Sequence, residues 1–304
     1  MKHLLLATDG SPASKTATRA VGRLIPVDNK DTLSCVYVSP RPSFPSAYLA
    51  REAVARENEM ARTIKEETLA AFPPRTGARF EFHHVTGVAQ LEICAMARKQ
   101  DADLVVIGRH GHRGEHFLLG SVCNAVLHEA DVPVLVVPEG ANLPSHGPKR
   151  ILLATDGSPS AAAAEAVAID WMTQCPDAKL TILYVRDSVA HLPFDHLAES
   201  LHSATALWSD ELEQNLLEGT FAALTQRVTF RSIEGSPART ICHVADEERS
   251  DLVILGSHGH RPMSDRLLLG SVSHAVVHMT TAPALVVRES IPVSQEMEEV
   301  IEVS

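Results

Sequence analysis

The chain is written twice, and no other feature of the sequence restricts its fold as much. Leu5-Leu6-Ala7-Thr8-Asp9-Gly10-Ser11-Pro12 returns unchanged from Leu152 to Pro159, so Asp9 recurs as Asp156, 147 positions later. Asp103–Arg113 matches Asp251–Arg261 at an offset of 148, and Leu118–Val122 matches Leu268–Val272 at an offset of 150. Three colinear matches at nearly one spacing are a duplication, and a period near 150 residues is that of a whole domain rather than a solenoid repeat. The reading is two domains, residues 1–139 and 149–290. They are joined by the turn-rich segment Pro138–Pro148 and followed from about Ile291 by an acidic tail carrying Glu296, Glu298, Glu299 and Glu302.

Within each repeat, short apolar runs alternate with helical patterns. Candidate strands in the first are Leu4–Thr8, Leu33–Val38, Phe80–His84, Leu104–Ile107 and Val134–Val137. Helix-like stretches lie at Ser11–Leu24, Ala47–Ala71, Val88–Lys99 and Gly120–Ala130. The second repeat offers Ile151–Thr155, Leu180–Val185, Val228–Ile233, Leu252–Leu255 and Ala284–Val287 as strands. Continuous Val/Ile/Leu strands separated by helices predict a parallel sheet covered on both faces. Each half is therefore expected to be a doubly wound α/β domain of five parallel strands. Its ligand site should lie at the carboxyl ends of the strands, where the strand order reverses. The fifth strands, Pro133–Val137 and Pro283–Val287, are expected at the sheet edges, where apolar strands invite pairing with a like edge.

Composition narrows the function. A net charge of −11 argues against nucleic acid, which is bound mainly through clustered Lys and Arg. It leaves room for a small anion, because a nest of backbone N–H groups can hold phosphate on an acidic protein. The five cysteines (Cys35, Cys94, Cys123, Cys175, Cys242) are scattered without C-x-x-C spacing, which fits a reducing cytosol. No run approaches the roughly 20 apolar residues of a membrane span, and the apolar start is too short for a signal peptide. The expectation is a cytoplasmic protein with no membrane partner.

The glycine-rich segment after the fourth strand of each half carries the most chemistry. Gly108 and Gly111 stand where a strand ends, and Gly120-Ser121-Val122 opens the next helix. Glycine allows close backbone approach, and a helix N-terminus offers free N–H groups and partial positive charge, both suited to phosphate. Gly256, Gly259, Gly270, Ser271 and Val272 repeat the arrangement. The plain alternative is that the glycines make turns and that Ser121 and Ser271 cap helices. There is neither a G-x-x-x-x-G-K-[ST] segment nor a G-x-G-x-x-G after the first strand, so P-loop and ordinary dinucleotide-binding readings are set aside.

Thr-Asp-Gly-Ser after the first strand, combined with G-x-x-G and a later Gly-Ser, resembles the universal stress protein family over nearly all of both halves. In nucleotide-binding members the pattern is G-x2-G-x9-G-[ST] and the ligand is ATP. By that resemblance, Asp9 and Asp156 meet the adenine with Thr8 and Thr155 beside them. Val38 and Val185 pack on the adenosine, and Ile107 and Leu255 line the same pocket. Gly108, Gly111, Gly120, Ser121 and Val122 hold ribose and phosphates, as do Gly256, Gly259, Gly270, Ser271 and Val272. The spacing departs from the family's nine: eight residues separate Gly111 from Gly120, and ten separate Gly259 from Gly270. Asp9 and Asp156 also fit a plain turn role before Gly-Ser-Pro.

The histidines at His110/His112/His116 and His258/His260 lack a completing cysteine or carboxylate pattern, so they read as solvated or phosphate-contacting rather than metal ligands. No catalytic residues and no metal ligands are assigned. The leading expectation is a stress-response regulator or sensor whose partners are an adenine nucleotide, ATP with or without Mg²⁺, and an unidentified regulatory protein. The alternatives are an interaction or scaffold module with degenerate nucleotide sites, and a weak ATPase. In family members the fifth strand mediates dimers, which implies a homodimer or an internal pseudo-dimer. The Arg51–Glu67 stretch reads as a solvated face, and the region around Leu192–Leu217 as the part where the halves diverge most.

Overall fold

The computed structural model describes residues 3–25, 31–41, 47–71, 79–111, 119–187, 206–259 and 269–289. The first half runs β1 (His3–Ala7), α1 (Pro12–Arg23), β2 (Thr32–Ser39), α2 (Ala47–Ala71), β3 (Arg79–Thr86), α3 (Ala89–Lys99), β4 (Leu104–Gly108), α4 (Ser121–Glu129) and β5 (Val134–Val137). The second half begins with β6 (Arg150–Thr155), α5 (Pro159–Gln174) and β7 (Lys179–Asp187). It continues with α6 (206–214), β8 (Val228–Gly235), α7 (Pro237–Glu247), β9 (Leu252–Gly256), α8 (Ser271–Met279) and β10 (Ala284–Val287). The expected elements are present, with no end moved by more than two residues. The acidic tail lies outside the described residues.

The first helix of each half starts where its sequence says it should. Ser11 accepts from Ser14 N–H with Pro12 as the first helical residue, and Ser158 accepts from Ala161 N–H with Pro159 next. Such a cap contributes about 1 kcal/mol. The second helices differ: α2 is a continuous 25-residue helix, whereas α6 passes into a π-helical segment, Asn215–Thr220, and a 3-10 segment, Ala222–Arg227. Gly219 weakens the regular helix there. Arg227 then ties the segment down through Nη1 bonds to the carbonyls of Met172, Cys175 and Ala178, each 3.2 Å.

The strands form one ten-stranded sheet in the order β3-β2-β1-β4-β5-β10-β9-β6-β7-β8. Each half is parallel throughout, and the order reverses between β1 and β4 and again between β6 and β9. The halves meet antiparallel, with Ala284 opposite Val136, Leu285 opposite Leu135 and Val286 opposite Val134. Strand alternation divides the core into two layers. Leu4, Leu6, Val106 and Leu135 pack under α1 and α5, while Leu5, Ala7, Ile107 and Val136 pack with side chains of α3, α4, α7 and α8. Both layers include residues of both halves, so the apolar core is continuous across the β5–β10 seam. Among the described residues no helix is long and apolar enough to cross a membrane.

Candidate functional site

Parallel strands of a doubly wound sheet splay a crevice at their carboxyl ends where the order reverses. In the first half that crevice lies beyond β1 and β4. Thr8 and Asp9 leave β1, and Gly10 turns the chain with φ +76°. The Ser11 N–H donates to Asp9 Oδ1 at 3.0 Å, and the Thr8 hydroxyl accepts from Gly10 N–H at 3.3 Å. The plain turn role of the aspartate is thus real, and its second oxygen remains directed at the glycine loop. A Cβ on Gly111 would sit 2.7 Å from Asp9 Oδ2. In the second half Gly157 has φ +74°, Ser158 N–H donates to Asp156 Oδ1 at 3.0 Å, and a Cβ on Gly259 would sit 2.6 Å from Asp156 Oδ2.

Gly108 and Gly256 serve a different end. A Cβ at Gly108 would lie 2.7 Å from Ser14 N and 2.8 Å from Ala13 C; one at Gly256 would lie 2.7 Å from Ser160 C. These glycines let the first helix rest on the end of the fourth strand, which brings Asp9 and Asp156 against their loops. Gly120 N–H then donates to Arg109 O at 2.9 Å, and Gly270 N–H to Ser257 O at 2.8 Å. Those bonds draw the helix N-termini back into the crevice. Residues 112–118 and 260–268, with His112, His116 and His260, lie outside the described residues.

The capping alternative for Ser121 and Ser271 does not hold. The N-cap residues of α4 and α8 are Gly120 and Gly270, with no side-chain cap bond, and both serines are exposed first residues of their helices. Where α1 and α5 satisfy an N–H with the oxygen of their cap serine, the glycine caps of α4 and α8 offer no side-chain acceptor.

The other expected residues divide into two groups. Val38, Ile107 and Val122 share the apolar layer on the α3/α4 side, and Val185 and Leu255 share its continuation. Ile107 and Leu255 are buried, at 6% and 3% exposure, so they form the floor beneath the glycine turn rather than an open wall. Val272 is exposed, unlike Val122.

Several neighbours were not singled out from the sequence. Ser14 accepts from the Thr8 hydroxyl at 3.2 Å, and Ser160 bridges the His258 backbone, donating to its carbonyl at 2.9 Å and accepting from its N–H at 3.0 Å. Tyr37 and Tyr184 are matching residues of β2 and β7. Burial raises both phenols; at Tyr37 it is followed by Glu57, which accepts from the hydroxyl at 2.7 Å, and then by Asp9, and at Tyr184 by Asp156. Glu165 is 7% exposed and accepts from the Thr155 hydroxyl at 2.9 Å; burial first, then Asp156, pushes its carboxyl above the usual range. The repeated tyrosine was the one available signal, because Ser14, Ser160 and Glu165 have no like residue in the other half. Among the described residues no group of three or more His, Cys, Asp or Glu is arranged to hold a metal ion. A separate 320 Å³ cavity, lined by Arg23, His146, Lys149 and Cys175 among others, opens at the amino ends of the strands, away from both crevices.

These features define a duplicated doubly wound α/β protein with a matched crevice at each switch point. The chain belongs to the universal stress protein family, whose model matches residues 1–138 and again 147–288. It is 28% identical over 300 residues to a universal stress protein of Mycolicibacterium smegmatis, covering 94% of this chain and 96% of that one. Over 140 residues it is 32% identical to universal stress protein A homolog 1 of Coxiella burnetii, covering 45% of this chain and 95% of the relative. The crystal structure of a universal stress protein from Archaeoglobus fulgidus superposes with a TM-score of 0.66 at 21% identity, covering 94% and 98% of the two chains. That likeness establishes the shared fold.

Proposed function

We propose that each half binds an adenine nucleotide, ATP accompanied by Mg²⁺, and that occupancy makes the protein a nucleotide-responsive regulator of a stress response. The observation that carries this reading is the pair of helix N-termini with glycine at the N-cap, each drawn up beside an aspartate-glycine contact. The first N–H groups of a helix suit phosphate, and glycine at the N-cap of α4 and α8 leaves room for it. Asp9 and Asp156 keep one carboxylate oxygen toward the crevice, where it can accept from an adenine amino group. Ser121 and Ser271 add exposed hydroxyls at the same helix ends. Mg²⁺ would be carried by the phosphates, which would supply its ligands.

Antiparallel β5–β10 pairing supports an internal pseudo-dimer over residues 1–139 and 149–290, which leaves a homodimer of whole chains to other surfaces. A cytoplasmic location and a regulatory protein partner complete the reading. The unequal loop lengths, eight and ten residues, favour a second reading in which the sites are degenerate and the protein is an interaction module. A weak ATPase would show ATP turnover lost on changing Ser121 or Ser271.

The deciding experiment releases bound ligand from the purified protein with denaturant and measures adenine nucleotide by chromatography, followed by calorimetric titration with ATP and Mg²⁺. About two ATP per chain, one for each repeated crevice, is the expected result. No bound nucleotide and no heat of binding would leave the interaction module.

A further inference from the structure

The last helix of each half reaches from its own crevice to the other one. α4 starts at Gly120-Ser121, and in its last turn His128 Nδ1 accepts from the Leu269 N–H at 3.1 Å. Leu269 immediately precedes Gly270, the N-cap of α8. α8 ends at Met279, and around its end the carbonyls of His278 and Thr280 accept from Arg109 Nη1 at 3.2 and 2.6 Å. Arg109 sits between Gly108 and His110 in the first crevice, and its own carbonyl accepts the Gly120 N–H at 2.9 Å. The connections therefore close into a ring: Arg109, Gly120, α4, His128, Leu269, α8, and back to Arg109. Arg288 fastens the same seam, with Nη2 donating to the carbonyls of Leu127 and His128 at 2.7 and 2.6 Å.

The arginine contacts at the two helix ends have a physical reason to hold. The last carbonyls of a helix have no partner inside it and carry partial negative charge. Two half-buried guanidiniums supply charge-assisted donors there, and burial, which lowers the basicity of Arg109 and Arg288, makes those bonds costly to lose. A helix of nine residues is a stiff rod about 13 Å long at 1.5 Å per residue, so movement at one end reaches the other. The continuous sheet beneath provides no hinge between them.

We propose that α4 and α8 are cross-braces, with Arg109 and His128 as positioning residues, that couple the two crevices so that nucleotide closing on one favours binding at the other. The coupling rests on the nucleotide reading above; the bracing of each glycine turn by the opposite half does not. The direction is positive because a ligand that draws in α4 or α8 orders a ring both sites share, and the second ligand meets a turn already ordered.

Amide hydrogen exchange read by mass spectrometry on the full chain tests the two parts separately. Without nucleotide, His128→Ala should speed exchange in 269–273 by about tenfold, while His128→Gln, whose amide oxygen can accept the same N–H, restores most of the protection. Unchanged exchange in that peptide overturns the brace, whether or not any nucleotide binds. With ATP and Mg²⁺ added to Asp9→Ala protein, whose first site is impaired, exchange should slow at 269–273 and also remotely at 108–111. Adding Arg109→Ala should abolish the remote protection and spare the local one. Remote protection that is absent, or that survives Arg109→Ala, overturns the coupling. ATP that protects no peptide of the wild-type chain overturns both the nucleotide reading and the coupling that rests on it, and leaves the ligand-free arm to decide the brace.

Discussion

At the carboxyl end of β1 the Thr8 hydroxyl donates to another hydroxyl, Ser14 Oγ; at the matching point of β6 the Thr155 hydroxyl donates to a carboxylate, Glu165 Oε1. The counterpart of Glu165 in the first half is Thr18, which spends its hydroxyl on the Ser14 carbonyl at 3.0 Å. The aspartate, the turn glycine and the loop glycines are the same in both crevices, whereas the layer beneath them differs. Two backbones can thus hold one geometry on different supports. The electrostatics differ as a result: a buried carboxyl lies behind Asp156, whereas behind Asp9 Thr18 takes that position and the half-buried Glu57 sits on Tyr37. Under the nucleotide reading, the first crevice should be the tighter site for a polyanion.

The largest expected effect tests whether the halves are built alike. Gly108→Ala and Gly256→Ala each drive a methyl into the first turn of the neighbouring helix. Each should lower unfolding free energy by about 2–3 kcal/mol, read from urea midpoints. A loss in one half alone would break the equivalence of the two helix–strand contacts. Next come Asp9→Ala and Asp156→Ala, each expected to weaken ATP at its own site by about tenfold or more in calorimetry. If both changes act on the same binding event, only one crevice is in use.

A smaller effect separates the halves by charge. Glu165→Gln keeps an acceptor for Thr155 and removes the buried acid, and it should tighten ATP at the second site by a few-fold. Its stability signature follows from linkage. The folded carboxyl titrates above the ordinary value of 4.5, so the folded state holds more protons than the unfolded one between those two points. Wild-type stability therefore falls as pH rises through that window. The variant should gain on wild type at neutral pH and lose the advantage below about pH 4, the usual carboxylate range. Equal pH profiles would remove Glu165 from the comparison.

The smallest effect lies along the seam. His274 of α8 stands where α4 has Asn124, and burial first, then His128 and His278, holds its pKa below the ordinary 6.5. A histidine whose folded pKa is depressed favours the folded state above the unfolded pKa. That contribution is lost as pH falls through 6.5 toward the folded value. His274→Gln should flatten the stability profile just below pH 6.5, as followed by thermal unfolding. An unchanged slope would show that the seam's acid sensitivity comes from elsewhere.

How much of this was legible beforehand depended on repetition. The strand–turn–helix at Thr8–Ser11 and the Gly-x-x-Gly after β4 stood out because each occurs twice. Their bland reading failed at one place, where Gly120 and Gly270 took the cap position assigned to Ser121 and Ser271. Pattern matching has no rule for choosing between adjacent small residues at a helix start. Ser160, Glu165 and Arg109 carried no repeat signal, since their counterparts are Ala13, Thr18 and Ser257.

Sequence alone determined that there are two halves of alternating parallel strands and helices, and where the glycine turns at their strand ends lie. Those properties follow from local periodicity and from glycines whose neighbours in the chain fix their use. Tertiary structure alone decided that β5 and β10 pair within one chain, that Glu165 lies buried behind Asp156, and that Arg109 and His128 reach across the seam. Each of these depends on side chains 100 or more positions apart, or on burial set by packing, and neither can be read from a residue's neighbours along the chain.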